Sequence, residues 1–130
     1  MPDANYMVLT VDDDLSARVL FKLMLERNDF AVIQAEDAYE ALELLENTKP
    51  DLIMTDISLP GMNGIEFTAA LRKRDDMNLI PIVVLSAFHN QEMIDKALTA
   101  GADQFYKKPL TLDNLRERLE EIIRNRQDKK

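Results

Sequence analysis

Four separated segments of the chain place an acidic, hydroxyl or basic side chain where an apolar run ends. They are the acidic triplet Asp12, Asp13 and Asp14, the single acid Asp56, the hydroxyl of Ser86 and the ammonium group of Lys108. In an open parallel α/β sheet, the carboxyl ends of the strands meet in one crevice, where ligands bind. If each run is a strand, these groups share one pocket. Such a set suits phosphoryl transfer with a divalent metal, because hard cations prefer oxygen ligands and lysine binds phosphate as a point charge.

Five short apolar runs alternate with five segments whose apolar residues recur at helical spacing. The predicted strands are 6–11, 30–35, 52–55, 80–85 and 104–107. The predicted buried helix faces contain Ala17, Leu20, Phe21, Met24 and Leu25; Ala38, Ala41, Leu42 and Leu45; Phe67, Ala70 and Leu71; Ile94, Ala97 and Leu98; and Leu112, Leu115, Leu119, Ile122 and Ile123. This alternation predicts an α/β fold with helices on both faces of a parallel sheet.

Polar residues mark where the predicted helices begin. Asp14, Asn63 and Thr111 are the predicted N-caps of the first, third and fifth helices, since their side chains can accept from free backbone N–H groups. Asp37, followed three residues later by Glu40, predicts a capping box at the second helix.

Length and composition indicate one domain over 1–130, with a core at about 6–124 and a polar tail at 125–130. The chain has 24 acidic and 16 basic residues, which gives a formal net charge of -8. We therefore expect no direct nucleic-acid binding, because phosphate contacts need a basic surface. No segment resembles a signal peptide or a membrane span, and there is no cysteine. These features predict a cytoplasmic protein that does not bind membranes.

The acidic triplet has two interpretations. Neighbouring carboxylates repel each other unless a cation neutralises them, which favours metal binding by Asp12 and Asp13, with Asp14 as the helix cap. In the alternative, one acid caps the helix and the others are solvated.

Asp56 stands alone after an apolar strand and could act as a nucleophile that forms an aspartyl phosphate. The alternative is an ordinary aspartate in a turn. Alternation along a strand directs only one of Lys107 and Lys108 into the pocket. Pro109 makes the Lys108–Pro109 peptide bond a candidate for the cis form, which would aim Lys108 inward. His89, the single histidine, is expected to be a solvated loop residue.

Six motifs in this order resemble a bacterial response-regulator receiver domain, of the single-domain type found in chemotaxis regulators. The motifs are Val-Asp-Asp-Asp at 11–14, Pro-Asp-Leu-Ile-Met-Thr-Asp at 50–56, Leu-Pro-Gly-Met-Asn-Gly at 59–64, Pro-Ile-Val-Val-Leu-Ser-Ala at 81–87, Ala-Gly-Ala-Asp at 100–103 and Lys-Lys-Pro-Leu at 107–110. The resemblance implies a flavodoxin-like, doubly wound sheet of five strands in the order 2-1-3-4-5, with five helices.

The resemblance also implies a function in two-component (phosphorelay) signal transduction. Asp56 would accept a phosphoryl group from a sensor histidine kinase or a phosphotransfer protein, and a downstream protein target or effector domain would respond. Mg²⁺ or Mn²⁺ would be held by Asp12, Asp13, Asp56 and the backbone carbonyl of Ser58. Lys108, Ser86 and Ala87 would bind the phosphoryl group, and Phe105 would be the aromatic switch residue.

Two positions depart from the commonest family pattern. Ser86 stands where threonine is frequent, but the hydroxyl is kept. Phe105 stands where tyrosine is frequent, and because it lacks a hydroxyl its inward or outward position must depend on packing. The alternative for Phe105 is an aromatic residue that only packs.

The first helix carries a second apolar strip, formed by Leu15, Val19 and Leu23, outside its predicted core face. The strip either packs against the last helix or, in the functional interpretation, offers Leu15 and Val19 as a docking surface for the helices of the kinase.

Three classes of function remain open from the residues alone. The first is a signalling switch that assists only its own phosphorylation and dephosphorylation, and is not a turnover enzyme. The second is a metal-dependent phosphatase with an aspartyl nucleophile; enzymes of the haloacid-dehalogenase type place an acid two residues after the nucleophile, where this chain has Ser58. The third is an interaction module with an unused site.

Overall fold

Five strands pair in parallel in the computed structural model, which describes residues 6–88, 90–108, 110 and 113–128. The strands are β1 (Met7–Val11), β2 (Ala31–Ala35), β3 (Leu52–Asp56), β4 (Ile82–Ser86) and β5 (Gln104–Lys107). Their order in the sheet is β2-β1-β3-β4-β5. The flavodoxin-like arrangement is therefore confirmed, and the change of winding direction between β1 and β3 opens a crevice at their carboxyl ends.

Five α-helices alternate with the strands within the described residues. They are α1 (Leu15–Arg27), α2 (Ala38–Leu44), α3 (Gly64–Arg72), α4 (Gln91–Ala100) and α5 (Leu115–Gln127). Asp14 caps α1 by accepting from the Ser16 N–H, and Asn63 forms a full capping box with Glu66 at α3. No helix among these residues is long and apolar enough to cross a membrane.

Side chains alternate along the strands, so the sheet has an apolar core on each face. One core packs the sheet against α2, α3 and α4, with Phe67 and Leu71 fully buried on α3. The other core packs it against α1 and α5, with Leu25 and Leu119 fully buried. The central strands β3 and β4 are buried along their whole length, as their largely apolar sequences predict.

Two apolar residues were wrongly placed on buried helix faces. Leu20 is 54% exposed and Leu98 is 45% exposed. Each lies at the margin of its helix's apolar stripe, and the sheet covers only the middle of that stripe. The capping box at α2 is also wrong in part: Asp37 accepts from the Glu40 N–H, but the Glu40 carboxylate accepts from Glu36 and not from Asp37.

The last helix differs from the prediction at both described ends. Asn114 precedes its first residue, and the helix continues to Gln127, into the segment predicted as a polar tail. Arg126 explains the extension, because its guanidinium donates to the Asn78 carbonyl and ties the last turn to the body of the protein. Sequence predictions for His89, Pro109, Thr111 and Leu112 lie outside the described residues, as do positions 1–5, 129 and 130 of the predicted domain.

A buried ionic cluster closes the end of the sheet opposite the crevice. The Asp103 carboxylate pairs with Arg72 at 2.9 Å and with Arg126 at 3.3 Å, and all three side chains are at most 15% exposed. Asp103 also accepts from the Ile82 N–H, while Arg72 donates to the carbonyls of Gly101 and Ile80. Burial and the charge of Arg126 lower the pKa of Arg72 to about 10.

We expect Asp103→Asn to lower the free energy of unfolding by about 3 kcal/mol, because it leaves two buried guanidinium groups without a carboxylate. Urea denaturation at neutral pH measures the change. The matched control is Asp76→Asn, which removes an exposed acid paired with Arg74 and should leave the free energy of unfolding nearly unchanged. Equal effects of the two variants would contradict a structural role for the cluster.

Candidate functional site

The acidic triplet lies at the carboxyl end of β1, in a connection of only three residues before α1. The Asp12 side chain is 3% exposed, and its N–H extends the sheet by donating to the Ala35 carbonyl. Its carboxylate accepts from the Asp14 N–H at 3.0 Å. Asp13 is exposed on the crevice side, and Asp14 is the helix cap, as predicted.

Asp56 is the last residue of β3, next to β1, and its side chain is 11% exposed. The start of α3 packs directly against its main chain: a Cβ added at Gly64 would lie 2.1 Å from the Asp56 carbonyl oxygen. The glycine in the Asn-Gly pair therefore allows the helix to begin there. The sequence motif contained this residue, but only the structure shows that it touches the backbone of Asp56.

Lys108 crosses the crevice to both acids. Its Nζ lies 2.6 Å from Asp12 Oδ2 and 3.2 Å from Asp56 Oδ2. Its backbone N–H donates to the Ser86 carbonyl at 2.8 Å, which continues the pairing of β4 and β5 by one residue. Lys107 is exposed, so strand alternation directs Lys108 inward.

Burial and charge act in opposite directions on these groups. Burial raises the pKa of Asp56, the charge of Lys108 lowers it and the charge of Asp12 raises it again, with a net increase. Burial lowers the pKa of Lys108, but its hydrogen bond with Asp12 and the charges of both acids outweigh this and raise it. Lys108 therefore stays an ammonium group, while ionised Asp56 carries an electrostatic cost.

Three of the acids could hold a cation together. One carboxylate oxygen from each of Asp12, Asp13 and Asp56 lies within 4.8 Å of the others. An all-oxygen donor set of this kind fits a hard divalent ion such as Mg²⁺, which needs only one or two carboxylates and keeps several waters. Asp13 supplies the carboxylate most open to solvent, and it has no hydrogen bond or ion pair with any described residue.

The other predicted site residues lie around this pocket. Ser86 is 3% exposed at the end of β4, and its hydroxyl accepts from the Phe88 N–H at 3.1 Å. Ala87 follows it and is exposed. Phe105 pairs with Val84 in the sheet and is half-buried against the core on the α4 side. The side chains of Ser58 and Phe88 are exposed at the edge of the crevice.

The second apolar strip of α1 is open to solvent. Leu15 is 65% exposed, Val19 51% and Leu23 52%. The alternative that these residues pack against α5 is therefore wrong. Leu15 follows the acidic connection directly, so the strip begins beside the pocket.

Arg18 is a residue at this site that motif reasoning missed. Its guanidinium donates to the backbone carbonyl of Asp12 at 2.7 Å. A single arginine on a helix of mixed polarity gives no signal in the sequence, because its partner is a main-chain atom.

The chain belongs to the family of response regulator receiver domains, whose family model matches residues 8–120. It is 39% identical over 122 residues to the alkaline phosphatase synthesis transcriptional regulatory protein PhoP of Bacillus subtilis, which covers 92% of this chain and 49% of that protein. It is 27% identical to the sporulation initiation phosphotransferase F of the same organism, over 92% of this chain and 94% of that protein.

A solved structure, that of chemotaxis protein CheY4 of Vibrio cholerae, has a TM-score of 0.84 and 29% identity, and covers 92% of this chain and 99% of that one. Several curated relatives, PhoP among them, are about twice as long as the segment they share with this chain. The membership confirms the predicted family and its signalling class, two-component response regulation.

Asp56→Asn should raise the melting temperature at neutral pH in metal-free buffer. The folded state raises the pKa of Asp56, so this acid favours folding while it is protonated, and that contribution is lost as pH rises through the folded pKa. The difference between variant and wild type should therefore widen as pH increases from 4 to 7. Thermal denaturation at a series of pH values measures it.

Asp95→Asn is the matched control, since it removes one exposed carboxylate on α4. Its effect should be small and nearly independent of pH. A lower melting temperature for Asp56→Asn across the whole range would show that the ion pair with Lys108 outweighs the burial of Asp56.

Proposed function

We propose that this receiver domain accepts a phosphoryl group on Asp56 from a phosphohistidine of a sensor histidine kinase or phosphotransfer protein, and that phosphorylation changes the surface that binds an output partner. The observation that supports this most strongly is the position of Lys108, whose ammonium group reaches Asp12 and Asp56 together. Within a receiver fold, that contact joins a nucleophile, a metal-binding acid and a phosphoryl-binding cation in one pocket.

In the proposed transfer, a carboxylate oxygen of Asp56 attacks phosphorus and the bond from phosphorus to the donor nitrogen breaks. The electron pair of that bond remains on the imidazole of the donor, and an acyl phosphate forms on Asp56. Lys108 neutralises part of the charge on the phosphoryl oxygens. Hydrolysis of the acyl phosphate by water returns the carboxylate, so the domain is a switch and not a turnover enzyme.

Asp12, Asp13, Asp56 and the backbone carbonyl of Ser58 are the proposed holders of Mg²⁺ or Mn²⁺. The ion would neutralise the acids and the transferred phosphoryl oxygens. The clustered carboxylate oxygens support this set, because uncompensated acids so close together repel each other.

The proposed switch begins at Ser86. A phosphoryl group on the neighbouring strand offers new acceptor oxygens to its hydroxyl, and Ala87 provides a backbone N–H beside it. Ser86 is also joined to Phe88, so movement of the hydroxyl would shift the connection to α4. Phe105, two strand positions before Lys107, would then fill the space that Ser86 leaves.

The proposed output is a protein target or an effector domain, with no direct contact to nucleic acid or membrane. Longer relatives carry further sequence beyond the shared segment, which supports an effector domain as one form of output. The acidic net charge of -8 argues against a DNA-binding role for this domain itself. The proposed extent of the domain is 1–130, and its proposed location is the cytoplasm.

Incubation with acetyl phosphate and Mg²⁺ should add one phosphoryl group to the wild-type protein, as measured by intact mass. Asp56→Asn should gain none, because the amide is not a nucleophile. Asp13→Asn should need a higher Mg²⁺ concentration, and Asp76→Asn, which alters an exposed acid in the connection before β4, at the other end of the sheet, should behave as wild type. Phosphorylation that persists in Asp56→Asn, or that is independent of Mg²⁺, would contradict the assigned site.

We also propose that Leu15 and Val19 dock the helices of the phosphodonor protein, since they are exposed and lie beside the pocket. Replacing each with glutamate should slow transfer from a histidine donor protein at least about tenfold, as expected when an apolar anchor is lost from an interface. Phosphorylation by acetyl phosphate should stay unchanged. The measurement is the rate of phosphorylation by the histidine donor protein compared with the rate by acetyl phosphate, for each variant.

Leu98→Glu is the matched control for the docking surface, because it alters a leucine on α4 that is also exposed, at 45%. It should leave transfer from the histidine donor unchanged. Equal losses with the protein donor and acetyl phosphate in the α1 variants would show that the substitutions disturb the pocket and not a docking surface.

A further inference from the structure

The main chain that carries the metal-binding acids is held by a residue outside the pocket. Arg18, on the second turn of α1, directs its side chain back toward β1, and Nη1 donates to the Asp12 carbonyl oxygen at 2.7 Å. The Arg18 side chain is only 14% exposed. This bond closes the three-residue connection between β1 and α1 into a ring.

Arg18 is itself braced by neighbouring strands. Its other terminal nitrogen, Nη2, lies 3.7 Å from the Glu36 carboxylate, just after β2. The Gln34 side-chain amide donates to the Arg18 carbonyl at 2.7 Å and to the Thr10 hydroxyl at 2.9 Å. The side chain of Arg18 therefore contacts residues after β1 and β2, and its main chain is bonded to Gln34 in β2. These contacts hold the guanidinium group near the end of β1.

Asp12 has a partner at each of its polar groups. Ala35 accepts from its N–H, Arg18 donates to its carbonyl, and Asp14 and Lys108 donate to its two carboxylate oxygens. The next residue, Asp13, has no comparable support: no described residue forms a hydrogen bond or ion pair with its side chain. The direction of the Asp13 carboxylate therefore depends on the main chain on either side of it.

The hydrogen bond from Arg18 restrains the main chain that precedes Asp13. The Asp12 carbonyl belongs to the peptide unit that joins Asp12 to Asp13, so rotation of that unit turns Asp13 directly. A guanidinium group holds a carbonyl better than an ammonium group does, because its planar donors have a fixed direction. Residues behind a metal ligand that orient it in this way commonly alter metal affinity when they are replaced.

We propose that Arg18 is a positioning residue for the metal site: by holding the Asp12 carbonyl, it presents the Asp13 carboxylate to a divalent cation. This inference rests on the proposed metal-dependent function. A purely electrostatic role makes the opposite prediction, because a guanidinium group close to the acids would oppose cation binding and its removal would tighten the site.

The test is the affinity of the unphosphorylated protein for Mg²⁺, measured by isothermal titration calorimetry. Arg18→Ala should raise the dissociation constant about tenfold to 100-fold, the usual effect of removing a residue that orients a metal ligand. Arg18→Lys should recover part of the affinity. Arg74→Ala, which also removes one positive charge but lies on an exposed connection paired with Asp76, should bind Mg²⁺ as the wild type does.

Two further readouts separate positioning from general destabilisation. Amide hydrogen exchange at Asp13 and Asp14 should become faster in Arg18→Ala, while exchange in β3 and β4 stays as in the wild type. The Mg²⁺ concentration for half-maximal phosphorylation by acetyl phosphate should rise, with the maximal rate nearly kept. If Arg18→Ala does not fold, Arg18→Gln, which keeps much of the buried stem, decides the question by the same calorimetry.

Unchanged or tighter Mg²⁺ binding by Arg18→Ala, with the wild type binding normally, would overturn the positioning role and leave the proposed function standing. Failure of the wild type to bind Mg²⁺ and to accept a phosphoryl group would overturn the proposed function, and the inference with it. A rise in the dissociation constant that Arg74→Ala reproduces would also overturn it, because the effect would then not be specific to the contact between Arg18 and Asp12.

Discussion

The contact of one ammonium group with two buried carboxylates is the constraint on which the site depends. Asp12 and Asp56 lie at the carboxyl ends of adjacent strands and are nearly excluded from water, so their negative charges would repel each other without a cation between them. Lys108 supplies that cation from the opposite end of the chain. The topology makes this possible, because parallel strands from distant parts of the sequence end at the same edge of the sheet.

The same contact explains why the pocket is suited to change. Burial raises the pKa of Asp56 even with Lys108 beside it, so the ionised carboxylate is not fully compensated. A further cation or a covalent phosphoryl group would change this balance of charge. A preformed site with incompletely balanced charge responds strongly when charge is added or removed. Ser86 and Phe88 lie at the next strand end, where such a response can reach the connection to α4.

Rigidity is concentrated behind the pocket. The buried cluster around Asp103 fastens the far end of the sheet, α3 and α5 to one another. Gly64 sets α3 directly against the main chain of Asp56, and Arg18 closes the connection that carries Asp12 and Asp13. Ala87 and Phe88, which are exposed after the end of β4, lie outside these three supports, which would suit the proposed surface for a partner.

The sequence by itself determined the fold class, the strand order implied by its family motifs, and the acids, hydroxyl and lysine at the strand ends. Periodicity and strand-end polarity are local signals, and consistent local signals specify a parallel α/β sheet. Helix margins were less predictable: Leu20 and Leu98 share the spacing of core residues, yet the sheet does not extend far enough to cover them.

Only the tertiary structure decided which charged groups meet. Lys108 contacts Asp12 across 96 positions of sequence, and alternation alone could not choose between it and Lys107. Arg18 and Gly64 act on backbone atoms, which every residue has, so no residue pattern reveals those contacts. The extension of α5 to Gln127 likewise depends on a carbonyl of a distant connection. Such interactions arise from the packing of elements against one another, so local sequence patterns do not predict them.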